Sequence, residues 1–281
     1  MYTLTLVCRK FFTPFVFILL LANRISGQEY WQQQVDYTIN VSLDDVKHEL
    51  NGYISIDYLN NSPHELDFIY FHLWPNAYRN NHTALAKQLL NDKPFQVLFN
   101  DPEIRGYMDS LNFKVNSVSV KTEPHPEHID IIKVLLNNLL KPGEKINITT
   151  PFHVKLPKGN ISRLGHIGQS YQITQWYPKP AVFDSKGWHP IPYLDLGEFY
   201  SEFGQFDVTI TLPENYKVAA TGELQTKSEL EWLNKLAEMN AFRDQFSIDK
   251  TPESDKTLKS IRYLEKNVHD FAWLLLKIFT Y

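Results

Sequence analysis

The stretch "VDYTINVSL" (residues 35–43) alternates apolar and polar side chains over nine positions. Its apolar members occupy every second place: Val35, Tyr37, Ile39, Val41 and Leu43. Successive side chains of a strand point to opposite faces, so this pattern predicts a β-strand with one buried face and one solvated face. A chain that opens in this way is predicted to build its core on β-sheets.

Further β-rich segments follow, and the turn-forming stretches "NNSPHE" and "KPGE" separate some of them. Turn signals between β-rich runs indicate antiparallel pairing. The predicted strands are GYISIDYL (52–59), LDFIYFHLW (66–74), FKVNSVSV (113–120), DIIKVLL (130–136), KINITTPFHVKLP (145–157), SYQITQWY (170–177), QFDVTITLP (205–213) and YKVAATGEL (216–224).

Two segments favour helices, namely TALAKQLLND (83–92) and SELEWLNKLAEMN (228–240). In the second, one stripe carries Leu230, Leu233, Leu236 and Ala237, which predicts an amphipathic surface helix. The fold class is therefore mainly β, with large antiparallel sheets packed or curved on each other and a few short helices.

The first 27 residues are predicted to be a secretory signal peptide rather than part of the fold. Arg9 and Lys10 precede a run that is mostly apolar from Phe11 to Ala22, and a small residue stands just before Gln28. This arrangement is typical of an export signal, and the run is shorter than the roughly 20 residues that span a bilayer. We expect an exported protein, periplasmic or extracellular, whose folded part is 28–281. An uncleaved signal would leave it tethered to the membrane.

Composition argues against several partner classes. The net charge is −4, and no long block of one sign occurs. Neither nucleic acid nor an anionic membrane is therefore an expected partner, apart from the contact of the signal peptide with the membrane.

Metal chemistry is not expected within this chain. Its only cysteine, Cys8, lies in the signal peptide. A zinc peptidase of the HExxH type needs two histidines one helical turn apart. The two His-Glu pairs, "HELNG" (48–52) and "HELDF" (64–68), place Gly52 and Phe68 where the second histidine would stand. We therefore predict surface turn histidines, no catalytic residue and no bound cofactor.

The segment "TQWYPKPAVFDSKGWHPIPYLDLGEFYSEFGQFDVTITLP" (174–213) resembles the corresponding segment of aminopeptidase N-like zinc metallopeptidases, especially secreted bacterial members. Four other stretches agree in order: "YTINVSLDDVKHELNGYISIDYLNNSP" with the first hairpin of the family, "FIYFHLWPNAY" with the next strand, "LLKPGEKINI" with a later turn and "VHDFAW" with the strand that closes its N-terminal domain. The likeness covers roughly residues 30–279.

This resemblance implies a saddle-like β domain that sits against a zinc-binding catalytic domain. In the family, that second domain carries the zinc, its ligands and the general base, and the intact enzymes remove N-terminal residues from peptides. The sequence is therefore interpreted as the N-terminal β domain, truncated before the catalytic domain, with that zinc domain and a peptide substrate as its partners. Whether the chain itself is an enzyme stays open, and we expect it to be inactive alone.

The resemblance also implies two substrate-binding positions. Gln175 matches a glutamine that helps to form the pocket for the N-terminal residue of the substrate. Tyr177 stands where many relatives carry the Glu or Gln that binds the free amine, and a phenol is a poorer amine anchor. The alternative is that four residues only pack beneath Pro178 and Pro180, namely Trp176, Tyr177, Trp188 and His189. If the face is instead uncovered, we expect an exposed aromatic patch and an unpaired edge at the final strand.

Two other functions compete with the fragment of a zinc aminopeptidase. One is an independent secreted β-sandwich module that binds peptide or carbohydrate. The other is a glycosidase-like enzyme that uses carboxylates such as Asp184, Asp195 and Glu198 on the β scaffold, although their spacing gives no support.

Overall fold

The computed structural model describes residues 30–92, 99–159, 161–241 and 251–277. The predicted signal peptide (1–27) and Cys8 lie outside these residues. No helix in the described ranges is long and apolar enough to cross a membrane.

The described chain is mainly β, which confirms the predicted fold class. Its strands, in chain order, are β1 Gln34–Asp44, β2 Glu49–Leu59, β3 Leu66–His72, β4 Tyr107–Asp109, β5 Lys114–Val115, β6 Val118–Ser119, β7 Thr122–Pro124, β8 Ile131–Leu140, β9 Lys145–Lys155, β10 Gly165–Ile167, β11 Ser170–Ile173, β12 Lys179–Pro180, β13 Val182–Asp184, β14 Gly187–His189, β15 Gly204–Pro213, β16 Lys217–Ala220, β17 Glu223–Leu224, β18 Leu258–Val268 and β19 Trp273–Leu276. The helices are α1 Ala84–Asp92 and α2 Lys227–Ala241, with short 3-10 turns at Trp74–Tyr78 and Pro102–Ile104.

The largest sheet has the order β17-β18-β15-β1-β2-β9-β5-β6, and β4 pairs with β9 beside this path. The opening stretch forms its centre, and the alternating apolar residues of β1 are buried as predicted. β1 runs antiparallel to β2 but parallel to β15, with Ile39 opposite Val208. The pairing of β1 with β15 is thus the one parallel strand pair described in an otherwise antiparallel sheet.

Two four-stranded sheets pack beside the large one. Their orders are β12-β3-β8-β7 and β10-β11-β19-β16, and β13 and β14 form a separate hairpin. We call the sheet β10-β11-β19-β16 the small sheet. Within it, β19 has a partner on each side, because Leu275 lies opposite both Tyr171 and Val218. The predicted unpaired edge at the final strand is therefore wrong for the described residues.

Three other details differ from the sequence prediction. The segment 113–120 forms the two short strands β5 and β6, and the strand expected over 170–177 ends at Ile173. β18 was not predicted, because only Ile261 and Tyr263 of its eleven residues are buried. On α2 the predicted stripe packs only in part: Leu233 and Leu236 are partly buried, but Leu230 is 47% exposed. Glu229 is buried instead and pairs with Lys259 at 2.6 Å.

Candidate functional site

The loop that carries Gln175 and Tyr177 joins β11 to β12 and lies in the interior. Gln175 is 5% exposed and Tyr177 is 1% exposed. Gln175 adopts a left-handed backbone conformation, with φ at +54°, which is uncommon for a residue that bears a side chain. A backbone conformation of this kind persists only where the surroundings determine it.

Asp270, in the turn between β18 and β19, provides those surroundings. Its carboxylate accepts a hydrogen bond from the side-chain amide of Gln175 and another from the Tyr177 hydroxyl at 2.7 Å. The backbone N–H of Phe271 donates to the same carboxylate at 2.9 Å. Both residues that the resemblance singled out are therefore tied to one buried acid.

Lys179 completes this network. Its ammonium donates to Asp270 at 2.8 Å, to the amide oxygen of Gln175 at 3.1 Å and to the hydroxyl of Ser201 at 3.3 Å. The ammonium nitrogen also lies 5.2 Å from the ring centre of Trp74 and 5.1 Å from that of Tyr177. The side chain of Lys179 is 1% exposed, so this is a buried ion pair with every ammonium proton matched by an acceptor.

The electrostatics follow from this burial. Burial alone would raise the pKa of Asp270, but the Lys179 ammonium and the hydrogen bonds from Lys179 and Tyr177 hold it below the usual value. Burial, reinforced by the charge of Asp270, raises the pKa of Tyr177 well above its usual value, so the phenol stays protonated and remains a donor. The ionised carboxylate of Asp270 can only accept hydrogen bonds, and the Lys179 ammonium and the protonated Tyr177 hydroxyl both donate to it, so the arrangement is stable.

The expected exposed aromatic patch is wrong. Trp176 is fully buried, and its indole N–H donates to the backbone carbonyl of Phe271 at 2.9 Å. Trp188 is partly buried and contacts the rings of Phe183 and Phe68, with centroids 4.9 and 5.8 Å away. These aromatic residues pack, as the alternative interpretation held.

The sequence did not single out Lys179 and Asp270. Lys179 stands between two prolines in an aromatic stretch, which is the one local signal that it is not an ordinary surface lysine. Asp270 lies in "VHDFAW" and is separated from its partner by 91 residues, so no spacing rule links the two.

A second buried acid, Glu202, lies just before β15. It is 3% exposed, and its carboxylate accepts a weak hydrogen bond from the backbone N–H of Phe183 at 3.4 Å. Burial raises the pKa of Glu202 to about 7, despite that hydrogen bond. Among the described residues the buried hydroxyl of Tyr58 has no hydrogen-bond partner. Burial, and then the negative charge of Glu202, raises the pKa of Tyr58 well above its usual value.

The acids of the glycosidase hypothesis are separately engaged. Asp184 accepts from His189 at 2.8 Å and from the Tyr200 hydroxyl at 3.1 Å. Asp195 instead accepts from Ser162 at 2.7 Å, and Glu198 is exposed. Within the described ranges no group of three or more His, Cys, Asp or Glu side chains is placed to hold a metal ion.

The histidines of the two His-Glu pairs lie in or beside turns, as predicted, but only His64 is the exposed residue that was expected. His48 immediately precedes β2 and is half-buried, with its ring stacked on His166 at 3.7 Å and hydrogen-bonded to the Tyr171 hydroxyl at 2.8 Å. Burial, followed by the nearby His166, lowers the pKa of His48 to about 4. His64 is exposed.

The outward face of the small sheet is a second candidate region. The strand register places Leu274 beside Gln172 and Ala219, and Leu276 beside Lys217. We call this surface the small-sheet outer face; its members are Ile167, Ser170, Gln172, Lys217, Ala219, Leu274 and Leu276. Ile167 is 67% exposed and Leu274 is 49% exposed, and a pocket of about 260 Å³ opens beside them.

Comparison with known proteins gives structural likeness only. No family model matches the chain, and no curated protein matches it. Among solved structures, an M1 zinc metallopeptidase from Deinococcus radiodurans aligns with 87% of this chain at 13% identity and a TM-score of 0.48, over 42% of its own length. A mutant of that enzyme bound to a Tyr-Ser-Ala substrate gives 13% identity and a TM-score of 0.47, with the same coverage. A two-domain M1 zinc metallopeptidase mutant bound to L-arginine gives 12% identity and a TM-score of 0.46, again over 42% of its length.

Proposed function

We propose that the chain is the N-terminal, substrate-side β domain of an exported zinc aminopeptidase-like protein. In this proposal it docks onto a zinc-binding catalytic domain through the small-sheet outer face. The sequence resemblance over residues 174–213 supports the family, and the apolar character of that face is the observation that carries the docking.

A solvated sheet face is normally polar, and the large sheet follows this rule. Its outward positions on β1 are Thr38, Asn40 and Ser42, and those on β15 include Thr209. The small-sheet outer face differs, because leucine and isoleucine stand where polar side chains are the rule. Exposed apolar patches rimmed by polar residues are typical of protein interaction sites.

The buried network gives the chain its part in the proposed function. Asp270 and Lys179 hold the side chain of Gln175 by hydrogen bonds, so that the loop after β11 can serve as a rigid wall of a peptide pocket. Zinc, when bound to the catalytic domain, would supply a water activated for attack on the peptide bond. The residues of the present chain would shape the pocket and exclude water from it.

The docking is tested by supplying an HExxH domain of this family as a separate polypeptide. We expect a one-to-one complex in gel filtration and hydrolysis of leucyl-anilide by the mixture. Leu274→Lys should abolish both, since it places a charge in the centre of the interface. Thr38→Lys, which adds the same charge on the large sheet, should leave both unchanged. Absence of a complex with the wild-type chain would refute the proposal.

An independent binding module is the second candidate. A concave region of about 490 Å³ on the large sheet is lined by Asn40, Asn51, Tyr53 and Thr209 among others. Tyr53 is 48% exposed, and surfaces rich in tyrosine, serine and asparagine are adaptable binding surfaces. The test is titration of the wild type and of Tyr53→Ala with neutral oligosaccharides and peptides. Binding that is present in the wild type and lost in Tyr53→Ala would establish this function, provided that the chain also fails to bind the catalytic domain.

A further inference from the structure

The groups around the Lys179 ammonium form a closed set that we call the ammonium cage. It consists of three oxygen acceptors and two aromatic rings, contributed by Asp270, Gln175, Ser201, Trp74 and Tyr177. These residues come from four separate places along the chain, since Gln175 and Tyr177 share one loop, so the fold has to be complete before the cage exists.

The cage matches the chemistry of a primary ammonium group. An R–NH₃⁺ group has three N–H donors, and the cage offers three oxygens at 2.8, 3.1 and 3.3 Å. Both rings lie within the roughly 6 Å over which a cation is attracted to an aromatic face. One carboxylate, that of Asp270, balances the single positive charge.

We propose that the ammonium cage is a receptor site for a primary ammonium group, and that Lys179 fills it from within the chain. The family resemblance implies that Gln175 helps to form the pocket for the N-terminal residue of a peptide, and that Tyr177 stands where many relatives bind the free amine of that residue. Here the oxygen of Gln175 is bound to Lys179, and the hydroxyl of Tyr177 is bound to Asp270. The internal lysine takes the place of a ligand's amine.

One consequence concerns specificity, and it alone rests on the proposed function. A pocket whose amine-binding groups are already occupied does not distinguish a free N-terminus from a blocked one. The complex with the catalytic domain should therefore bind N-acetylated and free peptides with similar affinity.

The cage itself is tested without any enzymatic activity. Lys179→Ala removes Cγ, Cδ, Cε and Nζ, which together correspond to propylammonium. The variant leaves the Asp270 carboxylate without its counter-ion, so we expect its Tm to fall by roughly 10 °C. Because the side chain of Asp270 is 19% exposed, a small amine can enter from solvent. Added propylammonium should raise the Tm of this variant in a saturable manner.

The controls separate ammonium binding from cavity filling. 1-Propanol has the same shape without the charge and should not rescue Lys179→Ala. In Lys179→Met an apolar side chain occupies the space of the lysine methylene groups, so propylammonium should have no effect on the Tm of this variant. The wild type, whose cage is full, should also not respond. A rise of Tm that is equal with propanol, or absent with propylammonium, would overturn the proposal.

A second measurement covers the case in which Lys179→Ala does not fold. Reductive methylation of the native wild-type chain, read by peptide mass spectrometry, should leave Lys179 unmodified while the exposed Lys114 reacts fully. Reaction of Lys179 at the rate of Lys114 would contradict a filled cage. Rescue and protection can both succeed even if no catalytic domain binds, so the two proposals fail independently.

Discussion

The side-chain amide of Gln175 donates a hydrogen bond to the carboxylate of Asp270, which lies 95 residues further along the chain. This bond joins the loop after β11 to the turn before β19, and Lys179 closes the triangle by bonding to both residues. Since all three side chains are largely or fully buried, the loop is held by charge-assisted hydrogen bonds that solvent screens only weakly.

The first prediction concerns the acid in this triangle. Asp270→Asn keeps the shape of the side chain but leaves the Lys179 ammonium buried without a counter-charge. We expect a loss of about 3–5 kcal/mol in the free energy of unfolding, because removing one charge of a buried ion pair leaves the other charge buried without a partner. Urea denaturation at pH 7 measures it. Asp67→Asn, at an exposed position of β3, should change stability by less than about 0.5 kcal/mol.

The pH dependence of the same pair has a definite sign. The pKa of Asp270 is depressed in the folded chain, so its contribution to stability is present above the ordinary carboxyl pKa and is lost as the pH falls through the lower, folded value. The difference in stability between the wild type and Asp270→Asn should therefore be constant from pH 5 to pH 7 and shrink below about pH 4.

The sequence predicted the strands in which every second residue is buried. It could not predict which strands pair with each other. β1 and β2 carry clear period-two patterns and form as expected. The parallel pairing of β1 with β15 joins segments that lie far apart in the chain, so no local signal reports it. β18 was missed because only two of its residues are buried and most of its exposed residues are polar or charged. Arg262, for instance, forms a bidentate ion pair with Asp207, with both N–O distances at 2.7 Å.

The candidate site shows the same limit. Resemblance led to Gln175 and Tyr177, but their partners Lys179 and Asp270 emerge only when the chain is folded. A charged residue in a sequence is assumed to be exposed unless its partner is known, since burial of an unpaired charge is prohibitive. Spatial pairing is the information that a single sequence lacks.

A second prediction tests the packing of the large sheet. Gly52 lies opposite Phe152 on β9, and a Cβ atom at Gly52 would come within 2.2 Å of the Phe152 ring. Gly52→Ala should therefore destabilise the fold by about 1–3 kcal/mol, as overpacking does in other cores. Thermal unfolding followed by circular dichroism measures this. Asn51→Ala, one residue earlier on the exposed face, is the matched control and should be close to neutral.

The third prediction concerns Glu202. Its folded pKa of about 7 lies above the ordinary value because the carboxyl is buried. A raised carboxyl pKa contributes stability below the unfolded pKa and loses it as the pH rises through the folded value. Wild-type stability should thus fall between pH 5 and pH 8 by on the order of 2 kcal/mol on account of this group. Glu202→Gln should remove that loss.

Two buried histidines have the opposite effect on the pH dependence of stability, so their contribution must be separated from that of Glu202. Burial, and then the charge of Lys179, lowers the pKa of His72 to about 3, and burial together with His166 lowers that of His48 to about 4. Their contribution to stability increases as the pH rises toward 6.5 and is the same in both proteins. The difference between Glu202→Gln and the wild type at pH 5 and pH 8 isolates Glu202; an unchanged difference would contradict its raised pKa.

The fourth prediction concerns export. If residues 1–27 are a signal peptide, the exported protein expressed in a bacterial host should begin at Gln28. N-terminal sequencing or intact mass decides this. Leu20→Arg, which interrupts the apolar run, should block export, whereas Thr3→Arg, outside the run, should not. A product that stays in the membrane with an intact N-terminus would identify an uncleaved anchor.

The last prediction concerns the small-sheet outer face in the absence of a partner domain. Ile167 and Leu274 are 67% and 49% exposed, and together with Leu276 they form an apolar surface that water does not favour. We expect the isolated mature chain to self-associate at micromolar concentration, seen in sedimentation velocity as a shift to larger species with increasing protein. Leu274→Lys should weaken the association about tenfold or more, because the lysine would be desolvated in the contact, while Thr38→Lys on the large sheet should have little effect. If the wild type instead sediments as a single monomer up to about 100 μM, the face is built for solvent, and the independent binding module becomes the better account of the chain.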